Sequence, residues 1–328
     1  MNYQGRKVLV TGAGGFIGSH LAEQLVKEGA QVRAMVHYNG AGRWGWLDHS
    51  EHVGEMDVFA GDIGDAECVR AAVRDCEVVF HLAALIAIPY SYRAPRSYVR
   101  TNVEGTLNVL QAALDQGRPR VVHTSTSEVY GTAITVPISE DHPLQGQSPY
   151  SASKIGADKI AESFYKSFEL PVVVARPFNT FGPRQSARAV IPTIISQLLA
   201  GRTQVALGSL SPTRDLNYVS NTVEGFLAAG SHPAAVGGTF NFGSGLEISI
   251  GDLAHLIAEL VGKPIEVVST DERQRPPASE VERLLADFQL ARNTLGWTPK
   301  VSLEDGLRST IAWLERHLDA YRPDVYAV

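Results

Sequence analysis

Three glycines near the start of the chain constrain its fold more than any other feature. Gly12, Gly15 and Gly18 lie in the stretch VTGAGGFIG, after a β-branched run at residues 7–10 and before a helical pattern at residues 19–28. Glycines at this spacing allow a tight turn, a close approach of a phosphate to the main chain, and close packing of the helix. The helix N-terminus would then offer N–H donors to a pyrophosphate. The pattern predicts a strand–turn–helix unit that binds a dinucleotide; the alternative is a turn that only needs positive φ.

Apolar strand patterns alternate with amphipathic helix patterns along the chain. Strands are predicted at residues 7–10, 31–36, 57–60, 78–82, 121–124, 172–175, 239–242 and 265–269, and helices at 19–28, 101–114, 151–168 and 191–199. Buried strands separated by helices form a parallel sheet that is covered on both faces. The predicted fold class is therefore α/β, with a Rossmann-type doubly wound parallel sheet and a smaller mixed α/β C-terminal substrate lobe.

The pattern loosens after residue 176, which predicts a second lobe. Four prolines interrupt residues 177–215, where loops and one helix are predicted, and two or three helices follow residue 250. We predict a dinucleotide-binding domain of residues 1–176 with 216–250. A smaller substrate-binding lobe would comprise residues 177–215 with 251–328. A cleft between two lobes is where a small-molecule site is expected.

Composition and charge exclude several classes of function. The 328 residues carry a net charge of −6, which argues against a basic nucleic-acid-binding surface. No apolar run approaches the roughly 20 residues of a membrane helix, and the N-terminus lacks the layout of a signal peptide. Cys68 and Cys76 have neither the spacing of a metal site nor that of a disulfide framework. We therefore expect a cytoplasmic protein that binds no metal, nucleic acid or membrane.

The end of the second predicted strand leaves the choice between NAD and NADP open. A dinucleotide-binding unit usually has an acidic residue there for the adenosine ribose, but this strand ends in MVHYN. His37 or Asn39 could serve the ribose, and Arg33 or Arg43 could meet a phosphate. Asp62, after the third predicted strand, fits either an adenine contact or a helix N-cap.

Tyr150 and Lys154 form the candidate catalytic pair. They are four residues apart in a predicted helix, so both face the same way, one turn apart. A lysine ammonium beside a phenol lowers a phenol pKa that begins at about 10, as a base that acts on an alcohol requires. Thr126 leaves the preceding strand and can hydrogen-bond the same substrate oxygen. This arrangement predicts oxidation of an alcohol by a dinucleotide.

Together these motifs resemble the extended short-chain dehydrogenase/reductase family, in its NAD-dependent epimerase/dehydratase branch, over nearly the whole chain. The resemblance is carried by Gly12, Gly15, Gly18, His81, Leu82, Ala83, Ala84, Asn102, Thr126, Tyr150 and Lys154. It implies a nucleotide-sugar substrate, a tightly bound and recycled NAD, and a homodimer through the helices at 101–114 and 151–168. Further cofactor contacts are expected at Phe16, Ile17, Ile63, Leu82, Ala83, Ala84 and Asn102.

The second lobe resembles the substrate lobe of that branch. Residues 176–184, RPFNTFGPR, look like its entry loop, where Asn179 would contact the nucleotide sugar. Arg214 and Arg275 resemble its diphosphate-binding arginines, because guanidinium groups match phosphate oxygens in pairs. Each arginine alone could equally form a surface ion pair.

Three further stretches, residues 85–92, 142–150 and 185–192, look closest to the 4,6-dehydratases that start legionaminic-type sugar pathways. Those enzymes act on an N-acetylglucosamine nucleotide. The resemblance implies substrate contacts, with loop packing as the alternative, at Tyr90, Tyr92, Arg188 and Val190.

Glu128 follows a predicted buried strand, and a buried carboxylate is costly unless it pairs with another group or takes part in the chemistry. Its presence therefore helps to distinguish the candidate reactions. Thr126, Ser127 and Glu128 resemble the 4,6-dehydratases, whereas 4-epimerases typically carry small or apolar residues there. Some 4,6-dehydratases carry Thr-Asp-Glu at these three positions, with the aspartate as a separate acid. Ser127 stands in place of that aspartate and resembles the GDP-mannose dehydratases, in which the glutamate carries out both proton transfers. We expect C4 oxidation, water elimination across C5 and C6, and hydride return to C6 of a UDP- or GDP-linked N-acetylglucosamine. The product is a 4-keto-6-deoxy sugar.

Other readings of these residues stay open. A UDP-glucuronate decarboxylase also shows TSEVYG and FNTFGPR, and it would need a cation or hydroxyls beside Glu128, for which Arg93 or Arg96 could serve. A 4-epimerase has no use for Glu128. A non-catalytic dinucleotide sensor or scaffold need not keep Thr126, Tyr150 and a lysine together. Glu128 could also simply pair with a buried arginine or cap a helix.

Overall fold

A parallel sheet forms the centre of the computed structural model, which describes residues 2–270 and 273–321. The strands are β1 (Lys7–Thr11), β2 (Gln31–His37), β3 (Asp57–Gly61), β4 (Val78–His81), β5 (Arg120–Thr124), β6 (Val172–Pro177), β7 (Asn179–Phe181), β8 (Gln204–Leu207), β9 (Thr213–Tyr218), β10 (Thr239–Phe242), β11 (Glu247–Ser249), β12 (Glu266–Ser269) and β13 (Arg283–Leu284). The helices are α1 (Phe16–Lys27), α2 (Ala66–Val73), α3 (Ile88–Arg93), α4 (Pro95–Tyr98), α5 (Gly105–Asp115), α6 (Pro149–Phe168), α7 (Val190–Leu199), α8 (Val219–Ser231), α9 (Ile250–Val261), α10 (Gln289–Leu295) and α11 (Leu303–Arg316).

Seven strands pair in the order β10-β6-β5-β4-β1-β2-β3, and every neighbouring pair is parallel. The chain moves outward from β1 to β2 and β3, then returns to the other side of β1 with β4. Such a reversal opens a crevice at the carboxyl ends of the two central strands, where doubly wound sheets bind ligands. The predicted Rossmann-type α/β fold is confirmed.

Helices cover both faces of this sheet. One apolar cluster joins the sheet to α1 and α8 through residues such as Leu21 and Phe226. A second cluster joins the opposite face to α2, α5 and α6 through Val69, Leu110 and Phe164. Strands buried on both faces explain why their sequences are almost continuously apolar.

The second lobe contains two small sheets. The strands β7, β9, β11 and β13 form one sheet, β8 pairs with β12, and α7, α9 and α11 enclose a separate apolar cluster. The prediction of only loops and one helix over residues 177–215 was therefore wrong. The strand β9 escaped notice because its sequence, TRDLNY, is polar although it is largely buried. Its Asp215 carboxylate accepts hydrogen bonds from the N–H groups of Ser244, Gly245 and Ala286.

The division of the chain between the lobes stays a prediction. Helix α10 and Trp297 pack into the apolar cluster of the seven-stranded sheet, although their residues fall in the predicted range 251–328. Residues 271–272 and 322–328 of that range lie outside the described residues. In the described part of the chain no helix is both long and apolar enough to cross a membrane. Among the same residues, no three His, Cys, Asp or Glu side chains cluster as a metal site would require.

Candidate active site

A cavity of about 1240 Å³ runs from the glycine turn after β1 to the second lobe. The carboxyl ends of β1, β4 and β5 form one wall, and α7, β9 and the segment before β13 form the other. The predicted residues on its wall are Gly12, Gly15, Phe16, Ile17, Gly18, His37, Asn39, Asp62, Ile63, Leu82, Ala83, Ala84, Thr126, Ser127, Glu128, Tyr150, Lys154, Asn179, Arg188, Val190, Arg214 and Arg275. Tertiary structure thus brings together nearly all of the predicted site.

Two predicted residues lie off the cavity wall. Asn102 is buried, where its side chain accepts from Leu85 N at 2.8 Å and donates to Leu85 O at 3.0 Å and to Ser153 Oγ at 2.9 Å. Asn102 therefore supports the wall from behind, since Leu85 lines the cavity. Tyr90 is 42% exposed, and its ring lies 6.2 Å from that of Tyr98, outside the cavity.

The glycine turn has the geometry of an anion cradle. Gly12 has φ of +70°, and a Cβ atom there would lie 2.9 Å from the main-chain nitrogen of Ala83. A Cβ atom on Gly18 would lie 2.2 Å from the carbonyl oxygen of Gly12, so close packing requires glycine. The N-cap of α1 is Gly15, which has no side chain to cap the helix, and no acidic residue occupies the first turn. A dinucleotide pyrophosphate fits these donors.

The arginines near the second strand have different surroundings. Arg33 donates to Asp57 at 2.7 Å and to the carbonyl oxygen of Ala72 at 3.0 Å. Arg33 therefore closes the C-terminal end of α2, and the alternative in which it meets a phosphate is wrong. Arg43 does line the cavity, and its Nε donates to Asp48 at 2.7 Å.

The predicted ribose and adenine contacts also stabilise their own loops. Asn39 Oδ1 accepts from the N–H groups of Ala41 and Arg43, each at 3.1 Å. Asp62 Oδ1 accepts from Gly64 N at 2.8 Å. The N-cap of α2 is Asp65, not Asp62, which leaves Asp62 on the cavity wall.

A loop that the sequence did not single out closes over the glycine turn. Trp46 N donates to Gly14 O at 3.0 Å. A Cβ atom on Gly14 would lie 2.5 Å from the carbonyl oxygen of Trp44. The Trp46 ring lies 5.3 Å from the ring of Trp313 in α11, nearly perpendicular to it. This loop therefore connects the cofactor end of the cavity to the second lobe.

The helix α6 positions the predicted catalytic pair. Ser148 and Ser151 form a capping box at its start, so Tyr150 lies in the first turn and Lys154 one turn later. Lys154 is 4% exposed, and its Nζ donates to the carbonyl oxygen of Thr124 at 2.6 Å. Burial lowers the pKa of Lys154 to about 8, although the negative charge of Asp158 acts in the opposite direction.

The pKa of Tyr150 is shifted in the direction opposite to our prediction. Burial raises the pKa of the Tyr150 phenol, and the negative charge of Glu128 raises it further. A hydrogen bond with the Thr126 side chain lowers it, but by less. The expected net lowering of this pKa is wrong, because the desolvation of the phenolate outweighs the effects that lower it.

Thr126, Ser127 and Glu128 form a short turn beside Tyr150. Thr126 Oγ1 accepts from Glu128 N at 3.3 Å and thereby caps this turn. Ser127 is 2% exposed and Glu128 is 9% exposed. Glu128 Oε1 lies 3.8 Å from Arg275 Nη1, within ion-pair range but beyond hydrogen-bond distance. Among residues 2–270 and 273–321, this long contact is the one ion pair that Glu128 forms with an arginine. The alternative in which Glu128 pairs with an arginine is therefore met at long range.

A buried charge network that sequence reasoning missed lies beneath these residues. Asp158, one turn beyond Lys154 in α6, accepts from Ser125 Oγ at 2.6 Å and from Arg176 Nη2 at 3.0 Å. Its other oxygen lies 3.1 Å from His123 Nε2. Burial alone would raise the Asp158 pKa, but these partners lower it to about 2. Its position on the Tyr150–Lys154 helix face was the available signal.

The end of the cavity next to the second lobe carries unsatisfied polar groups and further charges. Among the described residues, Asn179 Nδ2 and Gln185 Oε1 are buried atoms without a hydrogen-bond partner, and both residues line the cavity. Arg214 Nη2 lies 3.2 Å from Glu280 Oε1. Sequence reasoning did not name Gln185 as a site residue, although it begins the stretch 185–192, and it missed Glu280, which no motif marked. Unsatisfied polar atoms in a cavity wall are where a ligand is expected to bind.

Comparison with known proteins gives consistent similarities along nearly the whole chain. A family model described as GDP-mannose 4,6 dehydratase matches residues 9–310. The chain is 37% identical over 310 residues to a UDP-glucose 4-epimerase of Mycolicibacterium smegmatis, covering 93% of this chain and 97% of that protein. It is 34% identical over 319 residues to a UDP-N-acetyl-α-D-glucosaminuronate decarboxylase of Bacillus cytotoxicus, covering 94% and 97%.

Solved structures of nucleotide-sugar enzymes also resemble this chain. The dTDP-glucose 4,6-dehydratase DesIV from Streptomyces venezuelae, solved with NAD bound, matches with a TM-score of 0.86 at 29% identity. That match covers 97% of this chain and 99% of the DesIV chain. The similar proteins therefore span three reactions on nucleotide sugars.

Proposed function

This chain belongs to the GDP-mannose 4,6-dehydratase family, and from that membership we propose that it is an NAD-dependent nucleotide-sugar 4,6-dehydratase. The substrate that we propose is a UDP- or GDP-linked N-acetylglucosamine, and the product is its 4-keto-6-deoxy sugar. The observation that carries this proposal is Glu128, a largely buried carboxylate in the same cavity wall as Thr126, Tyr150 and Lys154. A simple 4-epimerase needs only the last three.

The cavity residues that would hold the cofactor fit a dinucleotide. The N-terminus of α1 and the turn at Gly12 and Gly15 would bind the pyrophosphate. His37, Asn39 and Asp62 line the cavity and would lie at the adenosine end. Bound NAD would accept a hydride from sugar C4 and return it to C6, so that it is unchanged overall. A closed cycle of this kind favours a cofactor that stays tightly bound between turnovers.

The side chains of this protein would move the protons of the reaction. Tyr150 takes the proton of the 4-hydroxyl, while Thr126 hydrogen-bonds the same oxygen. The 4-ketone that results acidifies the C5 proton, which the Glu128 carboxylate removes. Glu128 then returns its proton to the 6-hydroxyl, which leaves as water. A proton from solvent replaces the one lost from C5, and Tyr150 releases its proton to solvent. The sugar therefore loses one molecule of water in total.

A second candidate function, decarboxylation of UDP-glucuronate, is favoured by one contact. That reaction shares the C4 oxidation but acts on a sugar whose C6 is a carboxylate, for which a cation beside Glu128 is expected. Arg275 Nη1 lies 3.8 Å from Glu128 Oε1. Arg93 lines the cavity but Arg96 does not, and neither has an ion pair with Glu128 in the described structure.

Mass spectrometry separates these candidates. Purified protein is incubated without added cofactor with UDP- or GDP-N-acetylglucosamine or with UDP-glucuronate, beside the variant Glu128→Gln. We expect loss of one water from an N-acetylglucosamine nucleotide by the native protein and none by the variant. Loss of carbon dioxide from UDP-glucuronate would instead identify the decarboxylase. Inversion at C4 leaves the mass unchanged, so proton NMR of the same samples detects it; such inversion would identify an epimerase and contradict the proposed role of Glu128.

We also propose a cytoplasmic homodimer. The helices α5 and α6 pack side by side and expose Leu107, Tyr165 and Phe168 by 41%, 37% and 46%. Large apolar side chains on neighbouring helices suit a two-fold interface. Both cysteines are free thiols, as a reducing compartment would keep them. Light scattering of the native protein and of Leu107→Glu tests the dimer, which the added charge should dissociate.

A further inference from the structure

Four charged side chains alternate in sign along the cavity wall. Arg214 Nη2 lies 3.2 Å from Glu280 Oε1, Arg275 Nη1 lies 3.7 Å from the same oxygen, and Arg275 Nη1 lies 3.8 Å from Glu128 Oε1. All four residues line the cavity. The row therefore connects the two arginines predicted to bind a diphosphate with the carboxylate predicted to move the C5 proton.

Arg275 lies midway between two carboxylates and is hydrogen-bonded to neither at its Nη1. This atom is buried and has no hydrogen-bond partner among residues 2–270 and 273–321. Its distances to the two carboxylate oxygens differ by only about 0.1 Å. Hydrogen-bonded ion pairs of arginine are shorter, at about 2.7–2.9 Å. The guanidinium group is thus shared between Glu280 and Glu128.

Glu280 is held in place independently of Arg275. Its Oε1 accepts from Arg214 Nη2 and from Val281 N, each at 3.2 Å. Arg214 is itself anchored, because its Nη1 donates to the carbonyl oxygen of Thr213 at 2.9 Å. A fixed negative charge therefore attracts the same Arg275 nitrogen that lies within ion-pair range of Glu128.

We propose that Glu280 is a positioning residue for the elimination step: by sharing Arg275 it prevents this arginine from closing onto Glu128. The inference rests on the proposed function, in which Glu128 is the base that removes the C5 proton. A carboxylate that accepts hydrogen bonds from a guanidinium group is a weaker base, because its charged form is stabilised. Without the charge of Glu280, Glu128 is the remaining carboxylate within ion-pair range of Arg275 Nη1. Arg275 then moves toward Glu128 and hydrogen-bonds to it.

The variants Glu280→Gln, Arg275→Gln and the double variant test this role, with Glu247→Gln as the matched control. Glu247 pairs with Arg283 within the four-stranded sheet that also carries Arg214, and it lies off the cavity wall. Four quantities are measured with the nucleotide sugar that the native protein dehydrates. They are kcat and KM for water loss, deuterium incorporation at C5 from heavy water, and absorbance of reduced cofactor, which reports C4 oxidation.

We expect Glu280→Gln to lower kcat about tenfold or more, with C5 exchange falling in parallel and C4 oxidation retained. Arg275→Gln should raise KM with little loss of kcat, because Glu128 stays free. The double variant should recover kcat relative to Glu280→Gln, because the arginine that would block Glu128 is gone. The control should behave as the native protein.

Two results would overturn the positioning role. One is a double variant whose kcat is no higher than that of Glu280→Gln, as independent structural damage would produce. The other is a large loss of kcat in Arg275→Gln alone, which would make Arg275 itself catalytic and which does not depend on whether Glu280→Gln folds. Absence of water loss and of C5 exchange in the native protein would instead reject the proposed function.

Discussion

The Asp158 carboxylate and the Arg176 guanidinium group form an ion pair beneath the active-site cavity, with Arg176 Nη2 at 3.0 Å from Asp158 Oδ2. The side chains are 0% and 3% exposed. Asp158 belongs to the helix that carries Tyr150 and Lys154, and Arg176 belongs to the neighbouring strand β6. Ser125 and His123 of the preceding segment bind the same carboxylate. Together with Ser125 and His123, the pair therefore joins three elements that position the proposed catalytic residues.

Replacement of Asp158 by asparagine should destabilise the protein strongly. Arg176 would remain buried without a compensating charge, which costs about 3–5 kcal/mol. Urea unfolding measures the change in the free energy of unfolding. Glu304→Gln is the control, because it removes an exposed pair with Arg308 and should cost less than about 0.5 kcal/mol. Equal effects of the two substitutions would contradict the structural role of the buried pair.

Activity should decline as pH rises through the pKa of Lys154. Burial lowers this pKa to about 8, so the ammonium form is present below about pH 8 and is lost above it. The ammonium form is the one that can stabilise a phenolate on Tyr150. The pH profile of kcat/KM, which reports the free enzyme, should fall on the alkaline side near this value. Lys159→Gln, which removes an exposed lysine of the same helix, should leave the profile unchanged, and a flat profile from pH 7 to 10 would refute the assignment.

Thr126 should be replaceable by serine but not by valine. Its hydroxyl hydrogen-bonds Tyr150 and accepts from Glu128 N at 3.3 Å. Valine keeps the shape but removes both bonds, and we expect kcat to fall roughly 10²-fold. Loss of the cap should also lower the stability by about 1 kcal/mol. Steady-state kinetics of the two variants provide the comparison, and similar kcat values for serine and valine would exclude a role for the hydroxyl.

Alanine at position 18 should reduce both stability and cofactor content. Its Cβ atom would lie 2.2 Å from Gly12 O, so the turn must shift, at about 1–3 kcal/mol. Chromatography of the dinucleotide released from denatured protein measures the content directly. Gly40→Ala is the control, since a Cβ atom there meets no atom within 4 Å. Full cofactor content in Gly18→Ala would show that this turn does not hold the dinucleotide.

Trp313 should contribute to retention of the cofactor from the other lobe. Its ring centroid lies 5.3 Å from that of Trp46, and Trp46 N donates to the carbonyl oxygen of Gly14 in the glycine turn. Trp313→Ala removes an aromatic contact worth about 0.5–1.5 kcal/mol. We expect less dinucleotide to co-purify and activity to depend on added NAD. Trp313→Phe keeps an aromatic ring and should retain more cofactor. Identical dinucleotide contents of the two variants would show that the contact with Trp46 does not help to retain the cofactor.

The features that could be predicted from the sequence are those set by the spacing of residues close together in the chain. The predicted family and the α/β fold are confirmed. The glycine turn and the Tyr150–Lys154 pair are local patterns, so their geometry follows from the turn and the helix that contain them. The strand β9 could not be predicted in the same way. Its buried Asp215 takes its partners from residues that are remote in the sequence.

Sequence alone determined most strands and helices of the α/β fold, the dinucleotide turn and the residue types that carry the chemistry, because each depends on neighbours within one strand or one helical turn. Only the tertiary structure decided which charges meet. It placed Arg275 between Glu128 and Glu280 and removed Tyr90 from the cavity wall. It also reversed the expected direction of the Tyr150 pKa shift. These outcomes depend on desolvation and on distances between lobes, which arise only when segments far apart in the chain pack together.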